Sequence, residues 1–424
     1  MALAFWSIMN PTPPPPKTRG LLGSLFVLTG LIMNPWFLGR MLSPDGTIQN
    51  WLFILIILVA ETHFLALGIA LLVIKKAFPW SGVLLSASVY SIFLTAFLLY
   101  DLAAGYRSLR DAVPDNSPIA PALLQHDPLL GWKPIPNAVS RHTAIGEFDV
   151  RYEIDENGFR TIPKHPRAST QVFVVGDSYT FGVGVNNPET FASLLASQYF
   201  SDDVNVTNLG VMGYGFRQMF QRYLNVESTV RQNDLVLFAP ISWDIPRGSV
   251  DIASDALLHD SWASASYPVF RGDRVERCFL RDPICFADLS MENAPYSKSL
   301  YQTVKAKLGY SPEAEALRIV GVVRQRTEQK GARFVLTFLP VGDEELGTGV
   351  YALPLDLFNS VDLLPYMSEY AAQANLMQYR DDGHYTSFGH RVAAQAIART
   401  LWDRRMLAPK LFRHEPSTEP HVTP

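Results

Sequence analysis

From residue 171 onward, short apolar runs alternate with longer stretches that have the periodicity of helices. The runs contain few charged residues, which is typical of strands buried on both faces of a sheet. They are VFVVG (172–176), VNVTNLG (204–210), LVLFAP (235–240), RFVLTFL (333–339) and the weaker LMQYR (376–380). The helical stretches cover about 190–200, 215–231, 312–330 and 387–405. This alternation predicts an α/β fold with a parallel sheet, whose ligands bind beyond the carboxyl ends of the strands.

Three long apolar stretches precede this part of the chain, at residues 21–42, 51–74 and 80–100. Each has the ~20 residues that a helix needs to cross the hydrocarbon core of a bilayer. They predict three transmembrane helices within residues 21–100. They also explain why charged residues make up only 18% of the chain, against about 25% in a typical soluble protein.

Basic residues next to these stretches predict their orientation. Lys17 and Arg19 precede the first stretch, and Lys75 and Lys76 follow the second, so both flanks are expected to be cytoplasmic. Three arginines at the opposite ends oppose this assignment. With three spans, the rest of the chain lies outside. We therefore expect a multi-pass protein of the cell inner membrane, in contact with the lipid bilayer, with a periplasmic catalytic domain.

Two ionisable residues, Glu61 and His63, lie in the middle of the second apolar stretch. Ionisable groups at such a depth are costly and often functional. They either form a proton or acyl relay with a membrane acyl-donor partner, or hydrogen-bond to a neighbouring helix or subunit.

Composition divides the chain into six predicted segments. They are an N-terminal cytoplasmic segment (1–20), the three transmembrane helices (21–100), a linker (101–125), a small β-rich leader (126–165), the α/β domain (166–410) and a disordered tail (411–424). Within the α/β domain, Cys278 and Cys285 are separated by an Asp-Pro turn signal. In the periplasm they are expected to form a disulfide; the alternative is two free, buried thiols.

The charge and the cysteines exclude several classes of function. Lys plus Arg is 36 and Asp plus Glu is 40, which gives a formal net charge of −4. A strongly basic nucleic-acid-binding protein is therefore excluded as the default interpretation. Two cysteines match no zinc-finger pattern, and no phosphate-binding or dinucleotide-binding glycine motif is present. We expect no metal and no cofactor.

Two separate motifs carry the chemistry. Ser178 follows the strand VFVVG directly, in GDSYTFGVGV, so its hydroxyl is expected at the edge of the sheet where ligands bind. Asp382 and His384 lie together in RDDGHYTSFGH, before the last helical stretch. Serine is a weak nucleophile unless a base accepts its proton and a carboxylate orients that base. The two motifs together therefore predict a catalytic triad, while His390 is expected to be structural.

GDSYTFGVGV together with the C-terminal DGHYTSFGH resembles the SGNH/GDSL hydrolases, over about residues 170–407. The stretch LGWKPIPNAV…YEIDENGFRT also resembles the leader found before some extracytoplasmic members. The resemblance implies a flavodoxin-like parallel sheet with helices on both faces. It implies Ser178 as nucleophile, His384 as general base and Asp382 as the carboxylate, with Asp381 as the alternative.

The resemblance also implies oxyanion donors. Gly213 is the expected N–H donor of the family's second motif, with Gly210 as the weaker candidate. The family's third motif normally supplies an Asn side chain, but Trp243 stands at that position in ISWD. Loss of one oxyanion donor typically lowers the rate about 10²–10³-fold. The Ser178 and Gly213 N–H groups, Ser242 or the Trp243 indole would have to compensate.

These observations predict a membrane-anchored serine esterase, a carboxylic ester hydrolase that works through an acyl-serine. The family resemblance implies O-acyl esters as substrates, in particular O-acetyl groups on cell-envelope or exported carbohydrate. One alternative is a polysaccharide O-acyltransferase that uses the same triad. The other is a catalytically inactive carbohydrate-binding module, which the missing Asn would favour.

Overall fold

The structure is a computed structural model, and it describes most of the chain from residue 130 onward and parts of the chain before it. The described residues are 16–37, 51–73, 96–97, 99–105, 107, 123–127, 130–245, 266–271, 273–279, 282–292, 294–295, 298–341, 360–361, 363, 367, 370 and 374–417. They fall into two compact units. The first comprises 1–112 and 286–311, and the second comprises 113–285 and 312–424.

In the first unit, two helices cover most of the first two apolar stretches. They are α1 (Pro16–Ile32) and α2 (Trp51–Val73). Glycines let their backbones approach closely, since a Cβ on Gly68 would lie 2.7 Å from the Val27 nitrogen. Asn34 Nδ2 donates a hydrogen bond to Glu61 Oε1 at 3.0 Å. This contact favours the hydrogen-bonding role for Glu61 over the relay.

The prediction of three transmembrane helices is not supported. Within the described residues, no helix is both long enough and apolar enough to cross a membrane. The predicted span at 80–100 lies largely outside the described residues.

A five-stranded parallel sheet forms the centre of the second unit. Seven strands lie before residue 240: β1 (Leu124–Asp127), β2 (Gly131–Pro134), β3 (Val139–Ala144), β4 (Phe148–Glu153), β5 (Thr170–Gly176), β6 (Val204–Asn208) and β7 (Leu235–Ala239). Four follow: β8 (Ser266–Arg271), β9 (Arg274–Phe279), β10 (Arg333–Thr337) and β11 (Ser360–Val361). The strand order of the sheet is β11-β10-β7-β5-β6. This is the flavodoxin-like order, in which the connections change direction between β5 and β7, and ligands bind at such a point.

Helices cover both faces of the sheet, so the predicted α/β fold is confirmed. Those of the second unit are α3 (Ser178–Phe181), α4 (Phe191–Leu194), α5 (Phe216–Glu227), α8 (Pro312–Gln329), α9 (Ala374–Met377) and α10 (Ser387–Asp403), while α6 (Pro283–Glu292) and α7 (Lys298–Lys307) belong wholly or largely to the first unit. Alternate side chains of β5 enter opposite cores. Val172 and Val174 pack with α4 and α10, whereas Phe173 and Val175 pack with α5 and α8.

The leader folds into two antiparallel hairpins, β1–β2 and β3–β4. It does not form a separate body, because it lies in the same compact unit as the sheet. Its apolar side chains, among them Phe148 and Tyr152, share a core cluster with Phe181 and Val183, which follow Ser178.

Two local predictions differ from the structure. LMQYR, predicted to be a strand, instead begins within the short helix α9, and the edge of the sheet is the two-residue strand β11. The predicted disordered tail is ordered over 411–417. Phe412 is buried and pairs with Phe200, so the burial of apolar surface holds this segment on the domain; residues 418–424 lie outside the described residues.

The disulfide between Cys278 and Cys285 is formed. Cys278 lies on β9, which pairs with β8 in an antiparallel hairpin. Of the predicted linker at 101–125, the described residues are helical at 101–105 and extended in β1.

Candidate active site

The nucleophile loop, residues 177–187, begins where β5 ends at the centre of the sheet. Asp177 caps helix α3, and its Oδ1 accepts a hydrogen bond from the Tyr179 N–H at 2.9 Å. Ser178 is the first residue of this helix and is 5% exposed. Gly176 is required here because a Cβ would lie 2.1 Å from Thr180 Oγ1 and 2.5 Å from the Ala239 oxygen. The strand-to-helix turn therefore directs the serine to the ligand-binding edge of the sheet.

Ser178, His384 and Asp382 form a hydrogen-bonded relay. His384 Nε2 lies 2.8 Å from Ser178 Oγ, although 206 positions of chain separate the two residues. His384 Nδ1 lies 2.5 Å from Asp382 Oδ1. With the Nδ1 proton directed to the carboxylate, Nε2 is the acceptor for the serine proton, as a general base must be.

The electrostatics of Asp382 keep it ionised. Burial acts to raise the pKa of this carboxyl group. The hydrogen bonds from the ring and backbone N–H of His384, and the nearby His384 and His142 rings, act more strongly in the opposite direction. The net effect is that the pKa of Asp382 lies below its ordinary value. A carboxylate in this state fixes the ring orientation of His384 and stabilises the imidazolium that proton transfer produces.

The histidine loop, residues 379–384, is tightly closed. The Tyr379 N–H donates to the His384 oxygen at 2.8 Å, and the Gly383 N–H donates back to the Tyr379 oxygen at 3.0 Å. Gly383 has a φ of 84°, which favours glycine. The Tyr179 hydroxyl of the nucleophile loop donates to the Gly383 oxygen at 2.8 Å. The closure brings Asp382 to the histidine ring, whereas among the described residues the Asp381 side chain, the predicted alternative, makes no hydrogen bond to that ring.

The oxyanion loop, residues 209–214, follows β6, the neighbour of β5. The Gly210 N–H donates to Asn208 Oδ1 at 2.9 Å, so it is already engaged. Within the described residues, the N–H groups of Ser178 and Gly213 donate no hydrogen bond. Of the two glycines, Gly213 is therefore the one with an N–H available to an oxyanion.

The third motif, ISWD, forms a 3₁₀ turn after β7, the other neighbour of β5. Asp244 is buried and accepts a hydrogen bond from the Ile241 N–H at 2.9 Å. Trp243 is 69% exposed, and Ser242 Oγ is buried without a hydrogen-bond partner among the described residues. No hydrogen bond of the described residues joins Ser242 or Trp243 to the triad.

His390 is structural, as expected from the sequence. It is fully buried, and its Nδ1 accepts a hydrogen bond from the Phe191 N–H at 3.2 Å. Burial lowers the pKa of His390 to about 3, so the ring is neutral. Among the described residues, no group of three His, Cys, Asp or Glu side chains is placed to hold a metal ion.

Sequence reasoning missed three residues of the leader that contact the catalytic loops. Trp132 lies against Gly213, because a Cβ on that glycine would be 3.1 Å from the indole ring. Arg160 hydrogen-bonds to three carbonyl oxygens of the nucleophile loop. Glu147 accepts hydrogen bonds from the histidine loop. The GW and NGFR patterns were the available signals for the first two; Glu147 had none.

Comparisons with known proteins find structural similarity only. No protein-family model matches the sequence, and no curated protein matches it. The structure is similar to that of a member of the lipolytic protein G-D-S-L family from Veillonella parvula, with 13% identity, coverage of 54% of this chain and 96% of that one, and a TM-score of 0.30. It is also similar to that of a protein named TesA, with 13% identity, coverage of 56% and 100%, and a TM-score of 0.34. Identities and TM-scores this low carry no argument about function. The functional argument therefore rests on the geometry of the site.

Proposed function

We propose that this chain is a serine hydrolase of the SGNH/GDSL type that cleaves carboxylic esters through an acyl-serine. The observation that carries the proposal is the relay from Ser178 Oγ to His384 Nε2, at 2.8 Å, and from His384 Nδ1 to Asp382 Oδ1, at 2.5 Å. Three polar side chains in this order, at the ligand-binding edge of a flavodoxin-like sheet, have the geometry of an activated nucleophile.

In the acylation step, Ser178 Oγ attacks the ester carbonyl while His384 Nε2 takes its proton. The carbonyl oxygen becomes an oxyanion, for which the N–H groups of Ser178 and Gly213 are the proposed donors. The intermediate then expels the alkoxide, which takes the proton from His384 and leaves as an alcohol. An acyl-serine remains.

Deacylation repeats the steps with water. His384 accepts a proton from water, and the resulting hydroxide adds to the acyl carbonyl. Collapse of this intermediate releases the carboxylic acid and returns the proton to Ser178 Oγ. Asp382 stays ionised throughout and stabilises the imidazolium in both steps. Without the family's third-motif Asn, we expect slower turnover than in a hydrolase with a third side-chain donor.

We propose O-acyl groups on cell-envelope or exported carbohydrate, in particular O-acetyl groups, as the substrate class. The motif resemblance supports this choice. We also propose that the catalytic domain lies outside the cytoplasm, at the inner membrane. The Cys278–Cys285 disulfide supports an oxidising compartment. Exposed leucines on α1, such as Leu21 and Leu25, support contact of the N-terminal segment with lipid. A periplasm-active reporter fused to the C-terminus tests the location, and a silent reporter contradicts it.

The function is tested with Ser178→Ala on p-nitrophenyl acetate and with a fluorophosphonate probe, which reacts at an activated serine with loss of fluoride. The variant is expected to lose at least ~10³-fold in turnover and all labelling, with unchanged thermal unfolding. Ser197→Ala is the matched control, because Ser197 is exposed and its hydroxyl only donates to the Ser193 oxygen. Turnover by Ser178→Ala at the wild-type rate would refute the assignment.

A further inference from the structure

The leader, residues 126–165, contacts all three catalytic loops of the proposed hydrolase. Trp132 Nε1 donates to the Met212 oxygen of the oxyanion loop at 2.9 Å. Arg160 Nη2 donates to the Val185 oxygen of the nucleophile loop at 2.6 Å. Glu147 Oε1 accepts from the Asp381 N–H of the histidine loop at 2.7 Å. On this basis, and resting on the proposed function, we propose that the leader is the positioning element of the active site, and that Glu147 is the positioning residue for His384.

The backbone of the histidine loop shows why an acceptor is needed there. Within the loop, the N–H groups of Tyr379 and Gly383 donate to loop carbonyl oxygens. The His384 N–H donates to the Asp382 side chain at 3.3 Å. The N–H groups of Asp381 and Asp382 find no acceptor inside the loop, and both point to one carboxylate of another element. Their distances to Glu147 Oε1 and Oε2 are 2.7 and 3.0 Å.

A carboxylate suits this position better than a neutral acceptor. Both Glu147 oxygens accept a hydrogen bond, one from each of two consecutive N–H groups, which fixes the angle of the loop as well as its distance. Hydrogen bonds to an ionised acceptor are about twice as strong as neutral ones. One of the two N–H groups belongs to Asp382. Glu147 therefore holds the backbone of the same residue whose side chain orients the His384 ring.

The hairpin also packs against the start of the same loop. The ring of Phe148, next to Glu147, lies 5.0 Å from the ring of Tyr379. The Tyr379 hydroxyl in turn donates to the Gly184 oxygen of the nucleophile loop at 2.8 Å. Glu147 therefore lies at the end of a turn that is held by packing, and its carboxylate fixes the histidine loop relative to the hairpin.

The proposal is tested with Glu147→Gln and Glu147→Ala in the full chain. Gln keeps one acceptor oxygen and Ala keeps none. Misplacement of a catalytic group by about 1 Å can cost ~10²-fold in rate, so we expect kcat to fall ~10-fold for Gln and ~10²-fold for Ala. KM for p-nitrophenyl acetate should stay within about 2-fold, because Glu147 acts through His384 and not on the substrate. The limiting rate of fluorophosphonate labelling should fall in parallel with kcat.

Asp149→Asn is the matched control. Asp149 lies on the same hairpin and also loses a carboxylate, but its side chain pairs with exposed Arg141 and not with the histidine loop. It should retain wild-type kcat. Thermal unfolding is measured for every variant, and Glu147→Gln, which is isosteric, keeps the test valid if Glu147→Ala unfolds.

Three outcomes would overturn the proposal: wild-type kcat in Glu147→Gln and Glu147→Ala, an equal loss in Asp149→Asn, or a rise in KM with unchanged kcat. The proposed function fails in a different way. It fails if Ser178→Ala is still labelled and active, whereas the positioning role alone fails if Ser178 is essential and the Glu147 variants are indistinguishable from wild type.

Discussion

The nucleophile loop and the histidine loop are held by opposite means. Arg160, which is 2% exposed, holds the nucleophile loop from inside, with its guanidinium donating to the Phe181, Gly182 and Val185 oxygens. Glu147, which is only half-buried, holds the histidine loop from outside through two N–H groups. The buried hydrogen bonds of Arg160 contribute to the free energy of folding. The half-exposed hydrogen bonds of Glu147 contribute little to stability and mainly fix the geometry of the histidine loop.

This difference follows from what each loop carries. The nucleophile loop continues into the core, where Phe181 and Val183 are buried, so its carbonyl oxygens need internal donors. The histidine loop lies at the surface, where water can replace a lost partner. We therefore expect loss of the Arg160 contacts to change mainly stability and loss of the Glu147 contacts to change mainly catalysis.

The largest effect is expected within the histidine loop, from Asp382→Asn. The amide cannot stabilise the imidazolium, so kcat should fall by about 10⁴-fold with little change in thermal unfolding. Asp381→Asn is the matched control, because Asp381 is the neighbouring carboxylate and, among the described residues, makes no side-chain hydrogen bond to His384. It should retain kcat within about 2-fold. Steady-state kinetics on p-nitrophenyl acetate measure both, and equal losses would mean that Asp382 is not the orienting carboxylate.

At the nucleophile loop, Arg160→Met should show the complementary pattern. The substitution leaves three buried carbonyl oxygens without their donor, so the free energy of unfolding should fall by about 3–5 kcal/mol. Chemical denaturation measures the change. Arg151→Met, on the hairpin strand β4 and 64% exposed at its side chain, should change it by less than about 0.5 kcal/mol.

If Arg160→Met unfolds no more easily than wild type, the proposed difference between the buried Arg160 contacts and the half-exposed Glu147 contacts is wrong. Burial lowers the pKa of Arg160 to about 9, so the guanidinium is charged at neutral pH and its loss removes charge-assisted hydrogen bonds.

Gly213→Ala extends the comparison between stability and catalysis to the oxyanion loop. Gly213 has a φ of 77° and a Cβ would lie 3.1 Å from the Trp132 ring, so the loop must move or strain. We expect a loss of ~1–2 kcal/mol in stability and ~10-fold in kcat. Gly309→Ala is the control, since Gly309 has a φ of 81° but a Cβ there contacts nothing. It should lose similar stability and no activity; loss of activity in both variants would remove Gly213 from the oxyanion site.

The smallest effect is expected in the pH dependence of stability. The pKa of Asp382 is lowered from 3.8 in the folded protein, so its ionised form stabilises the fold at higher pH. This contribution is lost as the pH falls below about 4, through the lower pKa of the folded state. The stability difference between wild type and Asp382→Asn should therefore shrink from pH 6 to pH 2. A difference that stays constant over this range would contradict the depressed pKa.

Much of the sheet was predictable because buried parallel strands consist of continuous apolar runs in the sequence. VFVVG, LVLFAP and RFVLTFL lie in β5, β7 and β10, and strand ends placed Ser178 at the edge. LMQYR was misassigned because five residues with two polar ones do not distinguish a strand from a helical turn. The tail was misjudged because Leu411 and Phe412 are an isolated apolar pair. The burial of Phe412 depends on a partner, Phe200, that is far away in the chain.

The sequence predicted which residues belong to the candidate site, but not the contacts that hold them in place. The motif resemblance pointed to Ser178, Asp382 and His384. The Cys278–Cys285 disulfide was expected from the predicted periplasmic location and the Asp-Pro turn between the two cysteines, with free thiols as the alternative. The leader was predicted as a separate small β-rich segment from its alternation and turn signals, and Glu147 and Trp132 belong to no catalytic motif. Their roles depend on hydrogen bonds to backbone groups of remote loops, and backbone groups leave no signature in the sequence.

The amino-acid sequence by itself determined the α/β class, the strand ends that carry the chemistry and the local turn that places Asp382 beside His384, because apolar periodicity and glycine-dependent turns are local properties. Only the tertiary structure decided that His384 meets Ser178 across 206 positions and that Glu147, Trp132 and Arg160 hold the three loops. Such contacts depend on the summed packing of the whole unit, which brings together side chains and backbone groups that no short stretch of chain can place.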